Sequence, residues 1–219
     1  MTPTPPLRRP ETPPASAGPA MRPAMRLAVF ASGGGSNFGA ILDAIDGGRL
    51  AAEPALLVVD RPCGAVARAE ARGVPVAHLS PGAFATPEAF GEALLEALGA
   101  ARADTVALAG YLRRVPPAVV RRFAGRMLNI HPALLPAFGG PGMYGRRVHE
   151  AVLARGCRVS GATVHLVDEE YDTGRIVAQA CVPVAPDDTP DALAARVLAL
   201  EHRLFPEALA ALGPPPPDA

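Results

Sequence analysis

The chain has 219 residues, 49% hydrophobic and 19% charged, and its 21 basic residues balance 21 acidic ones. That composition fits a globular chain long enough for one domain with a full core, not a disordered one. Zero formal net charge gives no electrostatic case for nucleic acid or an anionic membrane as the main partner, and no apolar run is long enough to span a bilayer.

Residues 1–24 are rich in Pro, Ala and Thr without a periodic apolar face. They bury too little to offset their ordering entropy and read as a disordered tail. Arg8-Arg9 are not followed by an apolar core, so this is no secretory signal. From Arg26 to Ser32 an apolar run enters a glycine cluster, as a strand does when it feeds a helix. Phe38, Ile41, Leu42 and Ile45 then recur at helical spacing, and Gly47-Gly48 ends that helix. Ala55–Asp60 reads as a second strand, Val66–Ala71 as a short helix closed by Gly73, and Val74–Leu79 as a third strand. Thr86-Pro87 reads as an N-cap followed by proline at the first helical position. A fourth strand is expected over Thr105–Gly110, a short helix over Pro117–Ala124, and a fifth strand over Arg126–Ile130.

An irregular loop, Leu134–Gly145, precedes a helix that ends at Gly156. Two longer strands, Arg158–Asp168 and Arg175–Val184, lie close enough in sequence to pair antiparallel. Thr189-Pro190 opens a last helix with Leu193, Val197, Leu200 and Leu204 on one face, and 214–219 is a proline-rich tail. The strand–helix alternation predicts an α/β fold with a doubly wound, mostly parallel sheet, a late antiparallel strand pair and a C-terminal helix, all within one domain over 25–213. Ligands of such sheets sit at the carboxyl ends of the strands.

Three segments at those ends carry chemistry. Ser32-Gly33-Gly34-Gly35-Ser36-Asn37 joins the first strand to the first helix. Glycines let backbone N–H groups approach an anion, and the helix dipole favours negative charge there. The segment has no Gly-Lys-Ser/Thr, and Phe38 stands where a dinucleotide fingerprint needs its third glycine. Asp60, ending the second strand, keeps a nucleotide reading open; a plain tight turn is the other reading. Asn129-Ile130-His131-Pro132 ends the fifth strand, and alternation puts Asn129 and His131 on one face. An amide donor beside an imidazole suits acyl transfer, which needs donors for an oxyanion and a group that handles a proton. Asp172-Thr173-Gly174 offers a carboxylate that would raise the His131 pKa if adjacent, though Asp-x-Gly is also ordinary turn chemistry. His165, inside a strand, reads as core or as support for a site; Glu201, at the edge of an apolar face, reaches a substrate hydroxyl or amine or is a solvated flank; Arg113-Arg114 face an anion or solvent. Cys63, Cys157 and Cys181 are widely spaced with no C-x-x-C, which argues against a disulfide framework or zinc and for a reducing cytoplasm.

Together Ala31–Asn37, Leu108–Arg113, Leu128–Pro136, Gly161–His165, Asp172–Gly174 and Glu201-His202 resemble the phosphoribosylglycinamide formyltransferases, from about Met25 to Leu212. The resemblance implies a Rossmann-like formyltransferase fold, 10-formyltetrahydrofolate as co-substrate, phosphoribosylglycinamide as acceptor and no metal. It also implies a cytoplasmic purine-synthesis enzyme, monomer or homodimer, working on small molecules without nucleic acid or membrane. By the same resemblance Gly35, Ser36 and Asn37 hold the substrate phosphate and Glu201 its ribose or glycinamide end. Leu112, Arg113, Arg114 and Val115 line the folate pocket with Asn129; Asn129 and protonated His131 act on the formyl group, and Asp172 raises the pKa of His131. Pro87 and Leu198 stand where the family carries an arginine and a glutamine. A methionyl-tRNA formyltransferase, a formyltetrahydrofolate hydrolase and a non-catalytic binding module are the alternatives; the first two bring further domains not expected here.

Overall fold

A computed structural model describes residues 24–215. The predicted N-terminal tail, save Met25's neighbour Ala24, and residues 216–219 of the C-terminal tail lie outside the described residues. Seven strands and six α-helices alternate among those described: β1 (Met25–Ala31), α1 (Ser36–Asp46), β2 (Ala52–Val59), α2 (Gly64–Glu70), β3 (Val76–His78), α3 (Pro87–Ala100), β4 (Thr105–Leu108), α4 (Pro117–Arg122), β5 (Met127–His131), α5 (Arg146–Ala154), β6 (Val159–Leu166), β7 (Ile176–Pro183) and α6 (Pro190–Leu212). The strands form one sheet in the order β3-β2-β1-β4-β5-β6-β7. The first five are parallel, and β6 pairs antiparallel with both β5 and β7.

The order reverses between β1 and β4, the switch point where a crevice opens beyond the strand ends. Period-two alternation in β1 divides the core between the two faces. Leu27, Val29 and Ala31 pack with Phe38 and Ile41 of α1 and with Val197 and Phe205 of α6. Ala28 and Phe30 pack with Phe90 and Leu94 of α3 and Val119 of α4. Every residue in these two sets is at most 3% exposed. Each large side chain so buried contributes about 1.5–3 kcal/mol, and truncating Leu94 to alanine is expected to cost about 2–5 kcal/mol.

Both threonine caps form. Thr86 Oγ1 accepts from Ala89 N and Thr189 Oγ1 from Ala192 N, each at 3.2 Å. The strand boundaries differ from the sequence expectation by up to three residues. β2 begins three residues early at Ala52, where its N-terminal end already pairs with Met25 of β1. α6 runs through Pro206, which a propensity reading treats as a break; Pro206 is buried, and the helix continues to Leu212.

Gly35 shows why the glycine turn needs its glycine. It caps α1 with φ of 67°, and a Cβ there would sit 2.7 Å from the Ala65 Cβ. The close approach lets α2 pack against the turn, and Ala65 N donates to the Gly33 carbonyl at 3.2 Å.

Candidate active site

At the carboxyl ends of β1, β4 and β5 the chain encloses a cavity of about 430 Å³. Asn129 and His131 project into it from one face of β5. The β5–β6 register sets Asn129 opposite His165 and His131 opposite Thr163, so His165 joins the same face as a cross-strand neighbour. His165 Nδ1 lies 2.8 Å from the Leu166 carbonyl, which can only accept, so Nδ1 carries the proton. Its Nε2, 3.0 Å from Asn129 Nδ2, then accepts from that amide. One amide hydrogen of Asn129 is thereby engaged and the other is left for the cavity.

Thr163 fixes the exit of β5. Its hydroxyl donates to the Ala133 carbonyl at 2.7 Å and accepts from Leu135 N at 3.0 Å and from Gln179 Nε2 at 2.9 Å. The chain that follows returns over the site, and the Phe138 carbonyl accepts from His131 Nε2 at 2.8 Å.

Asp172 lies between the two histidines. Its Oδ2 is 3.6 Å from His131 Nδ1 and its Oδ1 is 3.5 Å from His165 Nε2. Gly140 N donates to the same Oδ2 at 2.9 Å, tying the turn to the loop before α5. Burial alone would raise the Asp172 carboxyl; the adjacent His165 ring, the Gly140 N–H and the His131 ring together outweigh it and hold the pKa below the ordinary carboxylate value.

The expected upward pull of Asp172 on His131 is present, but the net shift runs the other way. Asp172 and the Phe138 carbonyl do pull its pKa upward, but burial is the larger effect, and His165 adds to it. The imidazole is 4% exposed and its pKa falls below the ordinary value. In this geometry His131 is therefore neutral at pH 7, not the imidazolium that the family resemblance implies.

At the other end of the cavity Asn37 Nδ2 donates to Glu201 Oε2 at 2.7 Å. Glu201 is 7% exposed, so the solvent-flank alternative does not hold. Burial raises its pKa, and the Asn37 bond offsets part of that. Leu112, Arg113, Arg114 and Val115 form a further wall, and Leu198 reaches the cavity from α6. Gly35 and Ser36 do not line this space. Ser36 instead opens onto a separate polar pocket of about 320 Å³ with Arg49, Arg68 and His202.

His165, which the sequence leaves open between core and support for a site, lines the cavity, where the β5–β6 register places it beside Asn129. His149 was not singled out by the sequence. It is 4% exposed, lines the cavity from α5, and has its pKa lowered by burial and by nearby His131. Among the described residues no helix is long and apolar enough to cross a membrane, no cluster of three His, Cys, Asp or Glu is placed to hold a metal, and Cys63, Cys157 and Cys181 are unpaired.

A neutral imidazole beside a carboxylate, with an amide donor at its side and no protein nucleophile needed, suits the transfer of an acyl group between two bound small molecules. Comparison with known proteins agrees with that chemistry. The model of a family described as formyl transferase matches residues 25–209. A chloroplastic phosphoribosylglycinamide formyltransferase of Vigna unguiculata is 49% identical over 189 residues, covering 85% of this chain and 60% of that relative. The phosphoribosylglycinamide formyltransferase of Bacillus subtilis is 38% identical over 185 residues, 84% of this chain and 92% of that one. Among solved structures, a glycinamide ribonucleotide transformylase from Symbiobacterium toebii superposes with a TM-score of 0.82 at 40% identity, covering 90% of this chain and 92% of that one. The chain thus spans less than two thirds of the Vigna relative and nearly all of the two bacterial ones.

Proposed function

The chain belongs to the formyl transferase family, and from that premise we propose that it carries the formyl group of 10-formyltetrahydrofolate to the amine of 5-phosphoribosylglycinamide. The products are formylglycinamide ribonucleotide and tetrahydrofolate, within purine synthesis. The observation that carries this reading is the convergence of Asn129, His131 and Asp172 on one cavity whose far end holds the Asn37–Glu201 pair. We place the enzyme in the cytoplasm, acting on small molecules as a monomer or homodimer.

Each residue then has a task. Gly35, Ser36 and Asn37 take the substrate phosphate at the start of α1, where unpaired N–H groups and the helix dipole favour an anion. Glu201, anchored by Asn37, contacts the ribose or glycinamide end. Leu112, Arg113, Arg114 and Val115 receive the folate, partly through backbone groups. The free hydrogen of the Asn129 amide and the imidazole of His131 face the formyl oxygen.

The substrate amine attacks the formyl carbon, and the carbonyl oxygen gains negative charge. Asn129 stabilises that charge by hydrogen bonding. His131 starts neutral, so it becomes a cation only as the oxyanion forms, when two negative groups, Asp172 and the oxyanion, flank it. The C–N10 bond then breaks. The amine nitrogen loses one proton and N10 gains one, so the step balances. His131, with Asp172 beside it, is the group that holds the proton meanwhile. For His131 Nε2–H to serve the oxyanion it must leave the Phe138 carbonyl.

The test is turnover of purified protein with 10-formyltetrahydrofolate, with and without phosphoribosylglycinamide, identifying both products by mass. Formylated nucleotide formed in step with tetrahydrofolate supports the reading. Folate deformylation without the amine would replace it with hydrolysis, and no turnover with either would leave a binding module.

A further inference from the structure

In the sequence Asp60 ends the second strand and keeps a nucleotide reading open, and the reaction proposed above gives it no role. Its position asks for one. The side chain has 0% exposure, and a buried carboxylate is costly unless its charge is met. Two guanidinium groups meet it: Arg113 Nε donates to Oδ2 at 2.7 Å and Arg61 Nε at 3.2 Å. Both arginines are largely outside, with side chains 46% and 44% exposed. Arg61 adjoins Asp60 in sequence, whereas Arg113 comes from 53 positions away. The long-range partner thus belongs to the Leu112–Val115 segment, which lines the cavity.

The rest of that wall is tied to the same spot. Gly110, at φ of 75°, turns the chain out of β4, and its carbonyl accepts from Ser32 N at 3.2 Å. Leu112 N donates to Ser32 Oγ at 2.9 Å. The Tyr111 ring stands edge-on to Phe30, with centroids 5.2 Å apart. Tyr111 thus anchors inward, while Leu112 is held 48% exposed at the cavity. Burial would raise the Asp60 carboxyl, yet the Ser32 hydroxyl beside it and the two arginines keep its pKa below the ordinary value, so it stays charged at pH 7. Asp60 itself does not line the cavity. Any effect it has on a ligand must pass through the segment it holds.

We infer that Asp60 is a positioning residue for the folate side of the site: through Arg113, and beside Ser32, it presents the Leu112–Val115 backbone in a fixed conformation to a flat heteroaromatic ligand. The inference rests on the reading of that wall as the folate pocket. The nucleotide end, Asn37 and Glu201, is carried by α1 and α6, and neither residue bonds Asp60. Loss of Asp60 therefore weakens one substrate and spares the other.

The experiment compares wild type with Asp60→Asn, which keeps the shape and removes the charge. Tetrahydrofolate binding is measured by calorimetry, and KM is measured for each substrate. The expected result is a weakening of folate binding by about 10- to 100-fold, the size of one lost charge-assisted hydrogen bond. The folate KM rises in parallel, the nucleotide KM holds within about twofold, and kcat at saturating folate changes little. Arg113→Ala produces a similar rise, and adding Asp60→Asn to it produces almost no more, because the pair acts as a unit. Equal folate binding by Asp60→Asn and wild type overturns the inference, as does a parallel change in both KM values and kcat. If Asp60→Asn does not fold, Ser32→Ala, which releases Leu112 N and removes the hydroxyl beside Asp60, is expected to give the same split to a smaller degree, and an unchanged folate KM there overturns the inference. Absence of folate binding by the folded wild type instead overturns the functional reading.

Discussion

Asp172→Asn isolates charge from shape at His131, the imidazole proposed to act on the formyl group. The carboxylate Oδ2 is 3.6 Å from His131 Nδ1. At that separation and an effective dielectric of about 20, a full ion pair is worth about 4–5 kcal/mol. Asp172 is shared with His165 and its side chain is 12% exposed, so roughly half of that, about 2–3 kcal/mol, is available to a positive charge on His131. The resting imidazole is neutral, so this stabilisation is felt only as His131 becomes cationic. The loss belongs to kcat, which is expected to fall about 30- to 150-fold, with either KM nearly unchanged. Initial rates at saturating folate and nucleotide measure it, with His131→Ala as the reference, expected to lose about 10²- to 10⁴-fold. The His131 pKa, followed by NMR of the imidazole carbon-bound protons, should fall further in Asp172→Asn because a group that raises it has been removed. A kcat within threefold of wild type, or a rise in that pKa, would refute the coupling.

Three other outcomes are expected. Gly35→Ala pays the left-handed backbone cost and meets Ala65 at 2.7 Å, so it should lose about 2–4 kcal/mol of stability, read as a lower Tm by calorimetry. His131 and His149 have folded-state pKa values below the ordinary one of about 6.5. The unfolded chain therefore binds their protons first, and stability present above pH 6.5 is lost as pH falls through that value towards their folded ones. Thermal scans should show Tm dropping between pH 7 and pH 5.5, and His149→Gln should flatten the slope; a Tm that is flat or rising on acidification contradicts the buried, neutral imidazoles. Deleting residues 1–24 is expected to leave kcat and both KM values intact, measured with the same assay.

The elements were legible because their signals are local. Thr86-Pro87 and Thr189-Pro190 cap α3 and α6 through bonds only three residues long, and the alternation in β1 divides two core faces by itself. Asn129 and His131 could be placed on one face of β5 by the same rule. What escaped depends on distant partners. His165 enters the site through an antiparallel register with β5 that no short window contains. Glu201 looks like a flank until Asn37 of α1 arrives to bond it. The sign of the His131 shift is a contest between desolvation and Asp172, and sequence contains the partner but not the depth of burial. Ser36 belongs to the predicted turn, yet the helix it begins directs it to the pocket of Arg49 and Arg68, away from its neighbour Asn37.

The Asn37–Glu201 hydrogen bond joins positions 164 residues apart, and that has a consequence for how the cavity comes into being. Asn37 lies in the first helix after the opening strand, and Glu201 in the last helix. A chain emerging in sequence order can pair β1, β2 and β4 and build the face covered by α3 and α4 while the partner of Asn37 does not yet exist. Closing so wide a loop carries an entropy cost that only the packing of α6 on α1, β6 and β7 can meet. The Asn37–Glu201 end of the cavity is thus completed by the docking of α6, and an intermediate with most of its sheet formed would still have an incomplete cavity. Ligand binding then reports on the finished molecule, and a bound nucleotide would draw the two ends of the fold together by mass action.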